Sequence, residues 1–179
     1  SISPTCAGHV RVQLGGDVDL ILDGGSCTVG LESTIVSFMG PEPLLLRPGG
    51  LPLESIEDVI GTVRIPASDE LVNASPGRAG RHYAPRTPLI LGMTRRELAS
   101  HLRVGLLTLH PHQSPEEFIA VEVLSPEADL QQAACNLFAA MRRLDSLGLD
   151  AIVATPVPEI GLGRAINDRL IRAAAKSIP

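Results

Sequence analysis

The chain has 179 residues, and its 15 basic and 20 acidic side chains give it a net charge of −5. Because 44% of the residues are hydrophobic and 20% are charged, the chain can bury a core, and this composition excludes a mainly disordered protein. The acidic balance, together with one tyrosine, three phenylalanines and no tryptophan, argues against a protein that binds nucleic acid through its phosphates or by base stacking.

Cysteine spacing and hydropathy exclude further classes of protein. The three cysteines, Cys6, Cys27 and Cys135, are far apart and lack CxxC or Cys/His spacing, so the sequence predicts neither a disulfide framework nor a structural zinc site. No apolar run approaches the roughly 20 residues that cross a bilayer, and the first residues lack the pattern of a secretory signal. We therefore expect a cytoplasmic protein. Lys176 is the one lysine, so the cations near the motifs below are arginines.

The first 61 residues are predicted to form a small α/β unit. The predicted elements are a helix over 5–14, strands over 18–22, 32–38 and 44–46, and a helix over 52–60. The run over 18–22 is nearly all apolar and is followed by Asp23-Gly24-Gly25, which is typical of a buried strand that ends in a turn. A unit of this size has a marginal core of its own.

Residues 62–88 are predicted to be a linker. Prolines and glycines interrupt any helical or strand period between Ala74 and Pro88. Five arginines and no acidic residue lie between Ser75 and Arg96, although the whole chain is acidic. This segment is therefore a candidate for a cover over an anionic ligand.

Strands and helices alternate over residues 89–179. The predicted strands cover 89–91, 104–109, 119–124 and 151–153, and the predicted helices cover 94–102, 128–146 and 162–175. This alternation predicts a three-layer α/β sandwich with a mainly parallel sheet. The GLG at 161–163 lacks the remaining residues of a dinucleotide-binding motif and is interpreted as a loop that lets a strand and a helix pack closely.

Polar residues at predicted element ends are the candidate site residues. Ser3-Pro4-Thr5 precedes a helix, where hydroxyl and N–H groups can hold phosphate, or where a residue can simply cap the helix. Glu32, Ser33 and Thr34 lie at the head of a predicted strand, where either a bound small molecule or strand-end hydrogen bonds can satisfy them.

Two further candidates carry a charge or a ring. Arg47 ends an apolar strand, where open α/β sheets place ligands, and a surface salt bridge is the alternative. Arg81-His82-Tyr83 in the linker could stack a ring on a planar ligand and neutralise phosphate, or could pack between domains. The other four histidines lack metal-ligand spacing, and no role is assigned to them.

Six motifs, in order and over nearly the whole chain, resemble the long form of the threonylcarbamoyl-AMP synthase family. They are SPT at 3–5, DLILDGG at 19–25, GLESTIV at 30–36, LRPGG at 46–50, RHYAP at 81–85 and GLGRAINDRLIRAAA at 161–175. The resemblance implies that residues 1–61 are the C-terminal part of a YrdC-like catalytic α/β domain. It also implies that 62–88 form a linker and lid over the active site, and that 89–179 form a Rossmann-like three-layer accessory domain.

The resemblance implies a nucleotidyltransferase that joins L-threonine, bicarbonate and ATP, with Mg²⁺, into threonylcarbamoyl-AMP and pyrophosphate. The product feeds N6-threonylcarbamoyladenosine formation at tRNA position 37, so the expected partner is the tRNA threonylcarbamoyl-transfer machinery, with neither a membrane nor stable direct nucleic-acid binding. The family pattern puts Ser3, Arg47 and Tyr83 on ATP and Ser33 on L-threonine, with Thr34 and His82 as weaker neighbours. It assigns no catalytic side chain and no metal ligand.

The chain departs from the family at its start. The family's catalytic domain begins upstream with strands and a basic Lys-x-Arg motif, and neither precedes Ser1 here. We therefore expect that this chain alone does not catalyse adenylation and that it needs the missing N-terminal half, joined covalently or as a separate chain. The alternative is a non-enzymatic nucleotide-binding or regulatory α/β module, in which residues 89–179 bind a ligand or partner.

Overall fold

The computed structural model describes residues 1–66 and 83–174. The helices are α1 (Ala7–Leu14), α2 (Leu53–Ile60), α3 (Leu130–Asp145) and α4 (Gly163–Ala173), and the strands are β1 (Ile35–Ser37), β2 (Leu44–Arg47), β3 (Leu89–Leu91), β4 (Val104–Thr108), β5 (Ala120–Val123) and β6 (Ala151–Ala154). β1 and β2 form one sheet and the other four strands form a second. None of the helices in these two ranges is long and apolar enough to cross a membrane.

The first sheet is a short antiparallel pair that packs against α2. The predictions of a strand over 44–46 and a helix over 52–60 are confirmed by β2 and α2, whereas the strand predicted over 32–38 is limited to β1. The buried core shared by these elements consists of only Leu45, Leu53 and Val63. Because this core is so small, the first sheet depends on contacts with the rest of the chain.

Two predictions for the first 22 residues are wrong in detail. Residues 18–22 form no strand; Leu20 and Leu22 are 75% and 85% exposed, because this run has neither a pairing strand nor an apolar surface to cover it among the described residues. The first helix begins at Ala7 rather than at residue 5. Thr5 does not cap it, since Cys6 is the residue before the first turn and the Thr5 hydroxyl is hydrogen-bonded to His9 Nδ1.

The second sheet has the strand order β3-β6-β4-β5, and every neighbouring pair is parallel. This confirms the predicted α/β fold with a mainly parallel sheet. α3 and α4 cover one face and form the largest core of the described chain together with Leu89, Leu107 and Ile152 from the strands. Gly163 lets α4 begin here, because a Cβ at this position would lie 1.8 Å from the Pro158 carbonyl oxygen.

Loops and a short 3-10 helix cover the opposite face of this sheet, where Leu98, Leu102 and Phe118 pack on the strands. The helix predicted over 94–102 is wrong, because only Arg95–Glu97 are helical, and they form a 3-10 turn. The Arg95 guanidinium donates to the carbonyls of residues 99, 100, 102 and 117. The bonds to residues 99, 100 and 102 satisfy the carbonyl groups of the loop that follows the 3-10 turn, and they hold that loop in an irregular conformation.

The N-terminal residues lie against α3. Arg142 on α3 donates to the carbonyl of Ile2 and, at 3.4 Å and 2.8 Å, to the Ser3 carbonyl and the Gln13 side chain. Gly30 approaches the same helix with a φ of 73°, so the two parts of the chain share a close interface. The predicted division at residues 61 and 88 stays a prediction, and much of the predicted linker lies outside the described residues.

Candidate functional site

The Glu32 carboxylate is the centre of the candidate site. Its two oxygens accept from different partners: Ser3 Oγ donates to Oε1 at 2.7 Å, and Arg169 Nε donates to Oε2 at 2.8 Å. Burial raises the pKa of Glu32, but the hydrogen bonds from Ser3 and Arg169 and the charge of Arg169 together hold it below its usual value. Glu32 is therefore ionised at neutral pH and joins the N-terminal segment to α4.

Arg169 lies on the face of α4 that packs into the protein, and its side chain is completely buried. Besides Glu32, the guanidinium donates to the Asp168 carboxylate and, at 3.2 Å, to the Pro48 carbonyl. Arg172, one turn further along α4, pairs with the other side of Asp168, which raises the Arg172 pKa. Two carboxylates and two guanidinium groups thus form a balanced cluster around the buried charge.

Tyr83 is packed on this cluster. The Arg169 guanidinium carbon lies 4.8 Å from the centre of the Tyr83 ring, and the Phe138 ring stacks on Tyr83 at 5.7 Å between centroids. Tyr83 has a φ of 61°, a left-handed conformation that costs a non-glycine residue about 1 kcal/mol. Only 2% of the residue is exposed, so the packing around the ring holds this conformation in place.

The end of β2 and the turn that follows it are hydrogen-bonded to residues 33 and 34. Arg47 donates to the Ser33 carbonyl and to Ser33 Oγ, both at 3.0 Å. Thr34 Oγ1 donates to the Leu51 carbonyl at 2.6 Å and accepts from the Leu51 N–H. Gly49 permits this approach, because a Cβ at residue 49 would lie 2.4 Å from the Glu32 carbonyl oxygen. Arg47 and Ser33 are therefore held in one fixed arrangement.

The four residues predicted to bind ATP or L-threonine lie on this connected network. Ser33 and Arg47 are bonded directly, whereas Ser3 and Tyr83 are linked through Glu32 and Arg169. These contacts place the side chains together but do not test their roles, which stay predictions. Arg81 and His82 lie outside the described residues.

A cleft of about 560 Å³ opens beside Ser3 and Glu32. Its wall is completed by small or hydroxyl-bearing residues, such as Thr28 and Gly30, and by apolar residues, such as Leu31 and Phe138. Ser33, Arg47 and Tyr83 do not line this cleft. Because the Ser3 hydroxyl already donates to Glu32, its oxygen is left to accept a hydrogen bond from a group that enters the cleft.

Sequence reasoning missed the role of α4 in this site. Arg169 lies in the motif at 161–175 and Phe138 in the helix predicted over 128–146, and the sequence predicts no site role for either residue. A usable signal was present, since Arg169 lies in the apolar stripe formed by Ala165, Ile166, Leu170 and Ala173. A charge in such a stripe must find a buried partner, and here that partner is Glu32.

Comparison with known proteins gives matches along the whole chain. The family model described as "Threonylcarbamoyl-AMP synthase, C-terminal domain" matches residues 51–175, and the one described as "Telomere recombination" matches residues 1–49. The threonylcarbamoyl-AMP synthase of Pyrococcus abyssi is 37% identical over 98% of this chain and 55% of that protein. The one from Bacillus subtilis is 38% identical over 96% of this chain and 53% of that protein.

A solved structure agrees with these matches. The crystal structure of P. abyssi Sua5 complexed with L-threonine is 36% identical, with a TM-score of 0.84 over 97% of this chain and 54% of that one. The chain thus spans about half the length of the relatives it matches. The fold, the motif order and the family models agree, and the chain belongs to the threonylcarbamoyl-AMP synthase family.

Proposed function

We propose that this chain is part of an L-threonylcarbamoyladenylate synthase, a nucleotidyltransferase that forms threonylcarbamoyl-AMP and pyrophosphate from L-threonine, bicarbonate and ATP. The product serves N6-threonylcarbamoyladenosine formation at tRNA position 37 in the cytoplasm, through the downstream transfer machinery. The observation that supports the proposal is that, in a chain of this family, Ser33 is bonded to Arg47 while Ser3 and Tyr83 are linked through the neighbouring Glu32 and through Arg169.

In this proposal Ser33 binds L-threonine, and Ser3, Arg47 and Tyr83 bind ATP. The P. abyssi relative solved with L-threonine supports the choice of amino acid. Ser3 donates to Glu32 and Tyr83 is packed on Arg169, so both side chains are held in defined orientations. Arg47, with an exposed fraction of 8%, offers its charge from a fixed position.

The reaction asks the protein chiefly to position its reactants. The threonine amine attacks bicarbonate to give a carbamate with loss of water, and a carbamate oxygen then attacks the α-phosphorus of ATP and displaces pyrophosphate. Hydroxyl, guanidinium and backbone N–H groups can stabilise the charge that develops, and no side-chain nucleophile is required.

Mg²⁺ is proposed to enter with the triphosphate. Residues 1–66 and 83–174 contain no group of three His, Cys, Asp or Glu side chains that could hold a metal ion. Both oxygens of Glu32 are already engaged. The described residues therefore do not fit a protein-held metal, whereas Mg²⁺ commonly binds nucleotides through phosphate oxygens and water.

The chain is proposed to need the part that its longer relatives contain. A triphosphate requires several cations around it, and Lys176 is the one lysine of the chain. The described residues that line the cleft include no Lys or Arg side chain, and the charge of Arg169 is paired with Glu32. The described wall therefore supplies too little free positive charge to neutralise ATP.

Calorimetric titration with L-threonine and with ATP tests the proposal. Ser33→Ala should weaken L-threonine binding about two- to tenfold, since one hydrogen bond is lost. Ser37→Ala, at the end of β1, is the matched control and should leave the affinity unchanged. Equal affinities for both variants would contradict the role of Ser33.

Pyrophosphate release tests the need for the remaining part of the enzyme. The chain alone should give no turnover with ATP, L-threonine and bicarbonate, and adding the preceding half of a full-length relative should restore it. Robust turnover by the chain alone would refute this requirement. If neither ligand binds, and Arg47→Ala in a full-length chain leaves ATP binding unchanged, the regulatory module is supported instead.

A further inference from the structure

Arg169 joins three separate parts of the chain to α4. The guanidinium donates to Glu32 in the segment before β1 and to the Pro48 carbonyl after β2, and it lies over the ring of Tyr83. Its own helix supplies Asp168. One side chain of α4 thus contacts the segments on both sides of the candidate site and Tyr83, which belongs to the predicted linker.

The burial of this charge indicates a geometric role. Removing a guanidinium from water costs free energy, and an apolar side chain of similar size is often at least as stabilising at a buried position. An arginine offers a planar fork with several donors in fixed directions, as well as a flat face that stacks on rings. Arg169 uses both properties, because Nε and the two terminal nitrogens all donate while the carbon lies over Tyr83.

The bonds continue from Arg169 into the cleft. Arg169 fixes one oxygen of Glu32, and the other oxygen of Glu32 fixes the Ser3 hydroxyl, which lines the cleft. The Glu32 carbonyl in turn accepts from the Gly50 N–H at 2.8 Å, so the same segment holds the turn that carries Arg47. A shift of the guanidinium therefore changes the orientation of Ser3 and of the Ser33 neighbourhood together.

We propose that Arg169 is a positioning residue of the candidate site: it orients Glu32, and through Glu32 the Ser3 hydroxyl and the adjoining Ser33, while its face holds Tyr83 in place. This inference rests on the proposed function for the identity of the ligand. It assigns to α4 a direct part in shaping the substrate cleft.

The experiment compares Arg169→Lys and Glu32→Gln with Arg143→Lys in this chain. Arg143 is the control, because its guanidinium also pairs with a carboxylate, that of Glu122 at 2.8 Å and 2.7 Å, but it does not line the cleft. Arg169→Lys keeps the positive charge but removes the planar guanidinium with its several donors. Glu32→Gln removes the carboxylate that accepts from Arg169 and Ser3. Far-UV circular dichroism and thermal unfolding establish that each variant is folded.

Two measurements follow. The chain has one tyrosine and no tryptophan, so its intrinsic emission and its acrylamide quenching report on Tyr83 alone. Arg169→Lys and Glu32→Gln should both change these signals and weaken L-threonine binding about tenfold, as expected for a lost charged hydrogen bond. Arg143→Lys should match the wild-type chain in both measurements.

The outcomes separate this inference from the proposed function. If the wild-type chain does not bind L-threonine, the proposed ligand is wrong for this chain, and the Tyr83 signals alone decide the positioning role. The inference is overturned if a folded Arg169→Lys variant has the same Tyr83 emission and quenching as the wild-type chain. It is also overturned if that variant binds L-threonine with unchanged affinity. If Arg169→Lys does not fold, Glu32→Gln decides, and an unchanged Tyr83 signal in Glu32→Gln overturns it.

Discussion

Replacing Gly30 by alanine should destabilise the interface between the candidate site and α3. Gly30 lies two residues before Glu32 and has a φ of 73°, which favours glycine. An alanine Cβ would lie 2.5 Å from the Ala134 carbonyl oxygen and 2.6 Å from the Cys135 Cα. Both neighbours are backbone atoms of α3, which cannot move aside as the end of a flexible side chain can.

The expected loss has two parts. The left-handed backbone costs an alanine about 1 kcal/mol. Overpacking against fixed backbone adds about 1–3 kcal/mol, so Gly30→Ala should lower the free energy of unfolding by about 2–4 kcal/mol in total. Gly25→Ala is the control, since Gly25 has a similar φ of 88° but nothing within 4 Å of the added Cβ. It should lose about 1 kcal/mol.

Urea unfolding followed by circular dichroism measures both variants. Replacing glycine by alanine reduces the backbone freedom of the unfolded chain by the same amount at either position. This contribution to the unfolding free energy therefore cancels in the difference between the two variants. The difference should be about 1–3 kcal/mol. If Gly30→Ala costs no more than Gly25→Ala, Gly30 does not pack on α3, and the placement of Glu32 against α4 loses its support.

Two further predictions concern Glu32 and Phe138. The folded-state pKa of Glu32 lies below its unfolded value of about 4.3, so its contribution to stability is fully present above that pH and is lost as the pH falls through the folded pKa. Urea unfolding between pH 3 and 6 should therefore show that the unfolding free energy of the wild-type chain falls more steeply with decreasing pH than that of Glu32→Gln, because a glutamine side chain does not titrate. Parallel pH dependences for the two chains would contradict this. Phe138→Ala should lower the unfolding free energy by about 3–5 kcal/mol, because the buried ring packs on Tyr83. Phe38→Ala, at a ring that is 65% exposed, should change it by less than about 0.5 kcal/mol, and equal losses in urea unfolding would refute the packing.

The second sheet could be predicted from the sequence because its elements have strong periodic patterns. The strands over 104–109 and 151–153 and the long helix over 128–146 were predicted within one or two residues of their observed ends. α3 buries an unbroken stripe, from Ala133 to Leu144, that matches the helical period. Patterns of this length identify an element even though they do not identify its neighbours.

The errors occur where a local pattern depends on a distant partner. The apolar run over 18–22 has the composition of a strand, but a strand needs a neighbour to satisfy its backbone, and the described residues place none beside it. The residues over 94–102 favour a helix, but the Arg95 guanidinium donates to the carbonyls of residues 99 and 100 and stabilises an irregular loop there. Neither the absent pairing nor the competing donor can be derived from residue spacing.

Part of the candidate site follows from local sequence patterns, and part of it depends on a distant partner. Ser3, Ser33 and Arg47 could be identified because each is a polar residue at the end of a predicted element. The link between them could not, since Arg169 lies 137 positions from Glu32 and contacts it only after α4 has packed on the sheet. A buried arginine is tolerated in the apolar stripe of α4 because the segment before β1 supplies its counter-charge. The packing of α4 and the geometry of the candidate site therefore depend on the same ion pair between Glu32 and Arg169, so a change that loosens either one should be detected in the other.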